Sequence, residues 1–406
     1  MTDLAADEAL EDAHRASFGR LVGWLFRRTG DLQLAEDAVA AAFASAVTAW
    51  RAGGVPESPE AWLRVASRNQ AMSALRSGAR TVSVAPEDLE DRVAPAPSSD
   101  AAAVDDRLVL LMVCAHPAID PRMHAPLMLQ AVLGVDAARI ASVYLIPPAT
   151  MGQRLSRSKA KIRDAGLRFD VPEPEAFAPR LDAVLQAVYG AYGLADPIAD
   201  VEDERDAALR AEAIRLAEVL AELLPTEPEV WGLLALMLHT ESRRGGRIVD
   251  GAFVPLAEQD TSRWSRTIRA SADAHLRRAA TMGRIGRFQL EAAISALHSS
   301  RADDREPDAS ALLALYRGLL QIAPSPGATI GAAAAFLAAG ETAQARTLLD
   351  SLPAETVRSH QPYWVCRARL ALAEGDRPVA RAAAERAIGL TANPAVRSYL
   401  LTSLRS

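Results

Sequence analysis

Apolar residues recur at three- and four-residue steps along nearly the whole chain, the spacing of helices that bury one face. Within the C-terminal region one short stretch interrupts that pattern. Arg247–Val254 (RIVDGAFV) sets Asp250-Gly251 between short β-formers, the signature of a two-residue hairpin. The pattern therefore predicts an all-α protein in which this hairpin is nearly the only sheet.

The helices are punctuated clearly at the N-terminal end. Residues 8–29 place Leu10, Phe18, Leu21, Val22 and Leu25 on one face, and after Gly30-Asp31 a second face carries Ala35, Val39, Phe43, Val47 and Trp50. Arg51–Ser58 holds Gly, Gly and Pro and reads as a loop. Ser58, Pro59 and Glu60 then supply an N-cap, a first-turn proline and an acid at the positive dipole end of a third helix. That helix runs through Trp62, Val65, Ala66, Asn69 and Leu75 to about Ser77.

Residues 81–106 carry seven acidic residues against one arginine, with Pro, Ser and Ala and no periodic face. This is the composition of an acidic linker. A second helical unit follows at Arg107–Leu167, and a third, larger region begins near Glu175. There, Ala339-Gly340-Glu341 with Ala345-Arg346 reappears 35 residues later as Glu374-Gly375-Asp376 with Ala380-Arg381. Each copy reads as helix, glycine turn, helix, the period of tetratricopeptide-like pairs that stack to bury a shared face.

Length and composition bound the function. The chain has 406 residues, 50% of them hydrophobic and 24% charged, enough for two or three domains with real cores. No apolar run reaches the ~18–20 residues of a membrane span, and the acidic N-terminus is unlike a signal peptide. Cys114 and Cys366 form no disulfide framework, so the expected location is the reducing cytoplasm. A net charge of −6 argues against coating nucleic acid along the whole chain, but charge is unevenly spread. The chain's two lysines, Lys159 and Lys161, stand together in one basic segment.

That segment is Val135–Leu167. Asp136 can cap a helix burying Ile140, Ala141 and Tyr144; Leu145-Ile146-Pro147 breaks it; and a second helix starts at Pro148, burying Met151, Leu155 and Ile162. Two short helices and a tight turn make a helix-turn-helix unit. The second helix is expected to expose Thr150, Gln153, Arg154, Arg157, Lys159, Lys161 and Arg163. A helix fits the major groove, Arg and Gln read base edges from its first turns, and further cations neutralise phosphates. Cys114, His116 and His124 lack a second matched ligand pair and read as core or surface residues, so no metal is expected. Asp260 with Trp264 reads as an N-cap beside a packing aromatic. No phosphate loop or nucleophile–base arrangement is apparent, so neither enzyme chemistry nor a cofactor is expected.

At these residues the chain resembles bacterial sigma factors of the extracytoplasmic-function group. Ile140-Ala141, Pro147, Ala149-Thr150-Met151, Gln153-Arg154-Leu155 and Ile162-Arg163 resemble the promoter-reading C-terminal domain. Ala35-Glu36-Asp37-Ala38 through Phe43 and Trp50 is similar to the helix that docks on the polymerase β′ clamp helices. Ser58-Pro59, Ala61-Trp62-Leu63, Arg68-Asn69 and Ala71 are similar to the helix that reads and melts the −10 element, and the Arg51–Ser58 loop lies where such factors capture a flipped base. Glu212–Leu216, Leu224-Pro225, Glu227–Val230, Gly232–Leu238, Glu258–Trp264 and Gln289–Ile294 resemble the subgroup with a long tetratricopeptide-like extension. Ala40 and Ala41 depart from the expected Gln and Glu, and Arg139 stands where an acid is usual.

The resemblance implies a sigma core-binding and −10-reading domain at 1–80, the acidic linker at 81–106, a −35-reading helix-turn-helix domain at 107–170 and a helical extension at 171–406. It assigns −35 contacts to Thr150, Gln153, Arg154, Arg157, Lys159 and Lys161, and −10 contacts to Trp62, Arg64, Arg68, Asn69 and Arg76. Glu36, Asp37 and Phe43 would meet the polymerase. The implied partners are core RNA polymerase, at its β′ clamp helices and β flap, promoter DNA, and a regulatory protein or ligand on the extension. The implied function is promoter-directed initiation regulated in cis. The alternatives are a helical-repeat adaptor with a degenerate sigma-like head and a simple helix-turn-helix repressor.

Overall fold

The computed structural model describes residues 2–79, 105–144, 146–167, 169–170, 172–194, 204–303, 307–391 and 393–403. Apart from Asp105 and Asp106, the acidic linker lies outside the described residues. The protein is all-α, with one two-stranded hairpin among the described residues. Its helices divide between two compact units, residues 1–195 with 205–216, and residues 196–204 with 217–406.

The first unit begins with α1 (Thr2–Thr29), α2 (Leu32–Gly53) and α3 (Pro59–Ala79). Gly30, at φ 66°, ends α1, and Asp31 Oδ1 caps α2 by accepting from Leu34 N at 3.1 Å. Leu25, Leu32, Val39 and Leu63 are fully buried between these helices. Val65 is 59% exposed: α3 turns Leu63 and Ser67 inward, and Val65 lies between them on the other face.

Next come α4 (Asp106–Cys114), α5 (Pro121–Leu133), α6 (Ala137–Val143), α7 (Pro148–Asp164) and α8 (Pro174–Leu194). Every residue from Leu108 to Cys114 is buried, so α4 is apolar on all sides and sits centrally. It packs with α1, α5 and α8. The expected boundary near residue 170 does not divide compact units, because α8 buries Leu181, Val184, Leu185 and Val188 within the first one. Each such side chain contributes roughly 1.5–3 kcal/mol on full burial. The next helix, α9 (Glu204–Leu223), contributes its residues up to Leu216 to this unit.

Two glycines one turn apart let α1 approach its neighbours closely. A Cβ on Gly19 would lie 2.5 Å from the Val132 carbonyl oxygen on α5, and one on Gly23 would lie 2.7 Å from Asp106 Cβ on α4. Both distances are too short for any other residue.

The second unit contains the remainder of α9, α10 (Pro228–Ser242), α11 (Arg266–Ala280), α12 (Arg287–Ser299), α13 (Ala309–Ile322), α14 (Pro326–Ala338), α15 (Thr342–Asp350), α16 (Ala354–Val357), α17 (Gln361–Ala373), α18 (Arg377–Leu390) and α19 (Pro394–Ser403). β1 (Ile248–Val249) and β2 (Ala252–Phe253) form the hairpin, with Ile248 opposite Phe253 and Val249 opposite Ala252. Asp250 at φ 51° and Gly251 at φ 76° give the left-handed pair that a two-residue turn requires. The Glu229 carboxylate on α10 caps α12 from outside, accepting from Phe288 N at 2.8 Å and Gln289 N at 3.1 Å.

The 35-residue repeat is legible in the backbone. Gly340 N donates to Leu337 O and Glu341 N to Phe336 O; Gly375 N donates to Leu372 O and Asp376 N to Ala371 O. Gly340 and Gly375 have φ 81° and 76°. Identical left-handed turns thus join α14 to α15 and α17 to α18.

Candidate nucleic-acid and polymerase interface

The basic segment folds as two short helices, as its pattern predicts. Asp136 Oδ1 accepts from Arg139 N at 2.9 Å at the start of α6, Ile140 and Ala141 are fully buried, and Pro147-Pro148 opens α7. On α7, Met151, Leu155, Lys159 and Ile162 face inward, while Gln153, Arg154, Arg157 and Lys161 are exposed and Thr150 is half-buried. Gln153 and Arg157 lie one turn apart, 3.5 Å between their side chains. Four of the residues expected at the −35 element therefore share an open cationic face.

Lys159 corrects the expectation of an exposed position. Its ammonium is buried and paired with the Glu36 carboxylate of α2, and it also donates to Gln33 Oε1 at 3.1 Å. Glu36, expected to face a polymerase, is its buried partner. Burial raises the Glu36 carboxyl to about 7 despite the opposing pull of Lys159. Its other oxygen, Oε1, has no hydrogen-bond partner among the described residues. Burial raises the fully buried Cys114 thiol of α4, and the Glu36 charge adds to this. Beside the pair, Arg163 meets the α2 cap Asp31 at 3.5 Å. Phe169 meets Phe26 edge-on at 5.1 Å, with the Arg27 guanidinium 5.1 Å from the same ring.

Phe43 is likewise inside rather than on a docking face. It packs against Phe18 at 6.1 Å and His14 at 5.0 Å. Asp37 alone of the three expected polymerase contacts is exposed.

The expected −10 residues lie along α3. Arg64, Asn69 and Arg76 are exposed, Arg68 is half-buried, and Trp62 meets Trp50 edge-on at 5.8 Å. A cluster that the sequence reading missed stands beside them. The Trp24 ring on α1 has the Arg28 guanidinium at 4.5 Å and the Arg64 guanidinium at 4.8 Å. Burial lowers the Arg28 pKa, and the nearby Arg64 charge adds to this. Arg20 pairs with Glu60 at 3.1 Å on the same pair of helices. Trp24 and Arg28 stand four residues apart on a continuous helix, a spacing that could have flagged them.

The other expected readings sit within local structure. His116 Nδ1 accepts from Ala118 N at 3.1 Å, and His124 Nε2 lies 3.2 Å from the Ile119 carbonyl oxygen. Asp260 accepts from Ser262 N at 2.9 Å, and Trp264 is buried with its Nε1 donating to Gln259 at 3.1 Å. No helix among the described residues is long and apolar enough to cross a membrane.

Residues 15–81 match Sigma-70 region 2, the segment formed by most of α1 with α2 and α3. Residues 180–280 match a family of unknown function, DUF6596. The chain is 34% identical over 412 aligned positions to Uncharacterized protein R00370 of Rhizobium meliloti (strain 1021), covering 100% of this chain and 96% of that protein. The chain belongs to that protein's family. Its sigma-70 region 2 domain supports a sigma-factor-like role, and Sigma-70 region 2 proteins are non-enzymatic transcription factors that bind core RNA polymerase and promoter DNA. No solved structure matches the chain.

Proposed function

We propose that the chain is an extracytoplasmic-function-type sigma factor that directs core RNA polymerase to promoters and is held closed by its own packing. The observation that carries this reading is the pairing of two cationic faces, one half-buried and one exposed, within a unit whose residues 15–81 match Sigma-70 region 2. One is Arg28–Trp24–Arg64 on α1 and α3; the other is Gln153, Arg154, Arg157 and Lys161 on α7. An aromatic ring between guanidinium groups suits an unstacked base and its phosphate. A basic helix face with Gln and Arg near its start suits the major groove.

In this reading 1–80 binds core polymerase and the −10 element, 107–170 is a helix-turn-helix domain that holds the −35 element, and 171–406 is a tetratricopeptide-like extension acting in cis. The support for cis regulation is local to the first unit. Arg215 on α9 donates to the Arg15 carbonyl of α1, and Glu212 lies 3.9 Å from Arg139 of α6. The cationic helices and the start of the extension are thereby bound together. Opening frees α2, whose Glu36 and Phe43 are buried, for the polymerase.

The adaptor reading draws its support from the burial of Glu36, Lys159 and Phe43, which takes three expected contacts off the surface. Co-purification with core RNA polymerase followed by run-off transcription separates the two. A sigma factor binds the core stoichiometrically and yields a discrete transcript; an adaptor yields neither.

A further inference from the structure

The second unit contains an open cavity of about 790 Å³, lined by none of the residues assigned above to polymerase or DNA. Its construction is unusual for stacked helices, because the hairpin supplies one wall. Phe253, Pro255 and Leu256 descend from β2 and face α14, α17 and α19. Phe253 meets Tyr399 of α19 edge-on at 5.4 Å, and Arg369 of α17 donates to the Tyr399 hydroxyl at 3.4 Å.

The space exists because α14 presents small residues to it. Gly327, Gly331, Ala334 and Ala338 fall on one helical face along the cavity. Behind Gly331 the packing is tight, since a Cβ there would lie 2.9 Å from the Tyr316 hydroxyl, whereas Gly327 opens onto free space. The cavity is thus bounded by a packed core on one side and by the hairpin on the other.

Its chemistry selects an occupant. Most of the lining is aliphatic or aromatic, none of it is Asp or Glu, and Arg369 is its single arginine or lysine. Arg369 is exposed, and among the described residues it forms no salt bridge to a carboxylate. The Cys366 thiol, which also lines the cavity, is pushed up to about 11 by burial, so it stays protonated and apolar at neutral pH. A volume of this size is that of a small-molecule site, where an apolar body is buried and a few polar groups fix its orientation.

We propose that this cavity binds a small amphipathic carboxylic acid, its apolar body against α14 and the hairpin and its carboxylate on Arg369 and Tyr399. Arg369 is exposed, so its contact favours the acid over a neutral analogue by about threefold. The site gives the extension a chemical input, and it stands whether or not the first unit acts as a sigma factor.

Calorimetric titration of the full chain with dodecanoate and with dodecan-1-ol tests this. Saturable binding of one dodecanoate is expected, about threefold tighter than the alcohol. Arg369→Gln should erase that preference while leaving alcohol binding intact. Ala334→Trp, which fills the cavity from an exposed position on α14, should abolish both without changing the helical circular dichroism. Absence of saturable dodecanoate binding overturns the proposal, as does undiminished binding by folded Ala334→Trp. Equal affinity of the wild type for acid and alcohol overturns the role of Arg369.

Discussion

Lys159 and Glu36 stand 123 positions apart in sequence and form a buried ion pair, their side chains 3% and 7% exposed. The pair joins α7, which carries the cationic face, to α2 of the Sigma-70 region 2 match. A buried pair of this kind is costly to break and specific in register, because either charge left alone in apolar surroundings is strongly unfavourable.

Removing one partner should therefore loosen the first unit. At pH 8, Lys159→Met is expected to destabilise it by about 3 kcal/mol or more, whereas Lys159→Met combined with Glu36→Leu should be near neutral. Urea denaturation followed by tryptophan fluorescence checks this through Trp24, Trp50 and Trp62. Equal stabilities for the single variant and the wild type would show that the pair does not hold the helices together.

The same pair should give the unit a pH dependence. The folded Glu36 carboxyl is raised to about 7 by burial, above its unfolded value of about 4.3. Its contribution to stability is then fully present below about 4.3 and is lost as pH rises through about 7. Urea midpoints of the wild type should fall between pH 6 and pH 8, and Glu36→Gln should flatten that fall. An unchanged slope in the variant would assign the dependence elsewhere.

Close approach of α1 to α4 and α5 rests on two missing side chains. Gly19→Val and Gly23→Val each force a Cβ into contacts of 2.5 Å and 2.7 Å, respectively. Each substitution should cost about 1–3 kcal/mol by overpacking and expose the 105–170 segment to limited proteolysis. Cleavage patterns identical to the wild type would show that the interface gives way without strain.

Nucleic-acid binding should depend on both cationic faces. Arg154→Ala with Arg157→Ala is expected to weaken promoter-duplex binding several-fold and to reduce the salt slope by about 2. Trp24→Ala should weaken single-stranded binding by about 1–3 kcal/mol through lost base stacking. Fluorescence anisotropy across a salt series measures both. Unchanged slopes would leave these surfaces without a role in binding.

Much of this architecture was legible in the residues. The hairpin followed from Asp250-Gly251, the α7 start from Pro147-Pro148, and the repeated turns from Gly340 and Gly375, because those positions demand backbone conformations that few residues adopt. The burial of each member of the pair was legible too, by a rule that charge obscures. Lys159 falls in line with Met151, Leu155 and Ile162, and Glu36 with Leu32, Val39 and Phe43, so each occupies an apolar stripe at helical spacing. Reading each as surface because it is charged hid the fact that the two stripes meet. The partner of a buried charge cannot be found from its own helix. It depends on which helices pack together, and neither charged residue specifies that. The Arg28–Trp24–Arg64 cluster was missed for a related reason, since it draws on two helices whose contact the pattern does not specify.

The most direct test of a closed sigma factor is the equilibrium affinity of the full chain for core RNA polymerase at pH 8, for the wild type and for Lys159→Met, which keeps Glu36. The account predicts saturable stoichiometric binding by the wild type and severalfold tighter binding by the variant, because the latch between α2 and α7 has been released. Absence of binding by both proteins would contradict it.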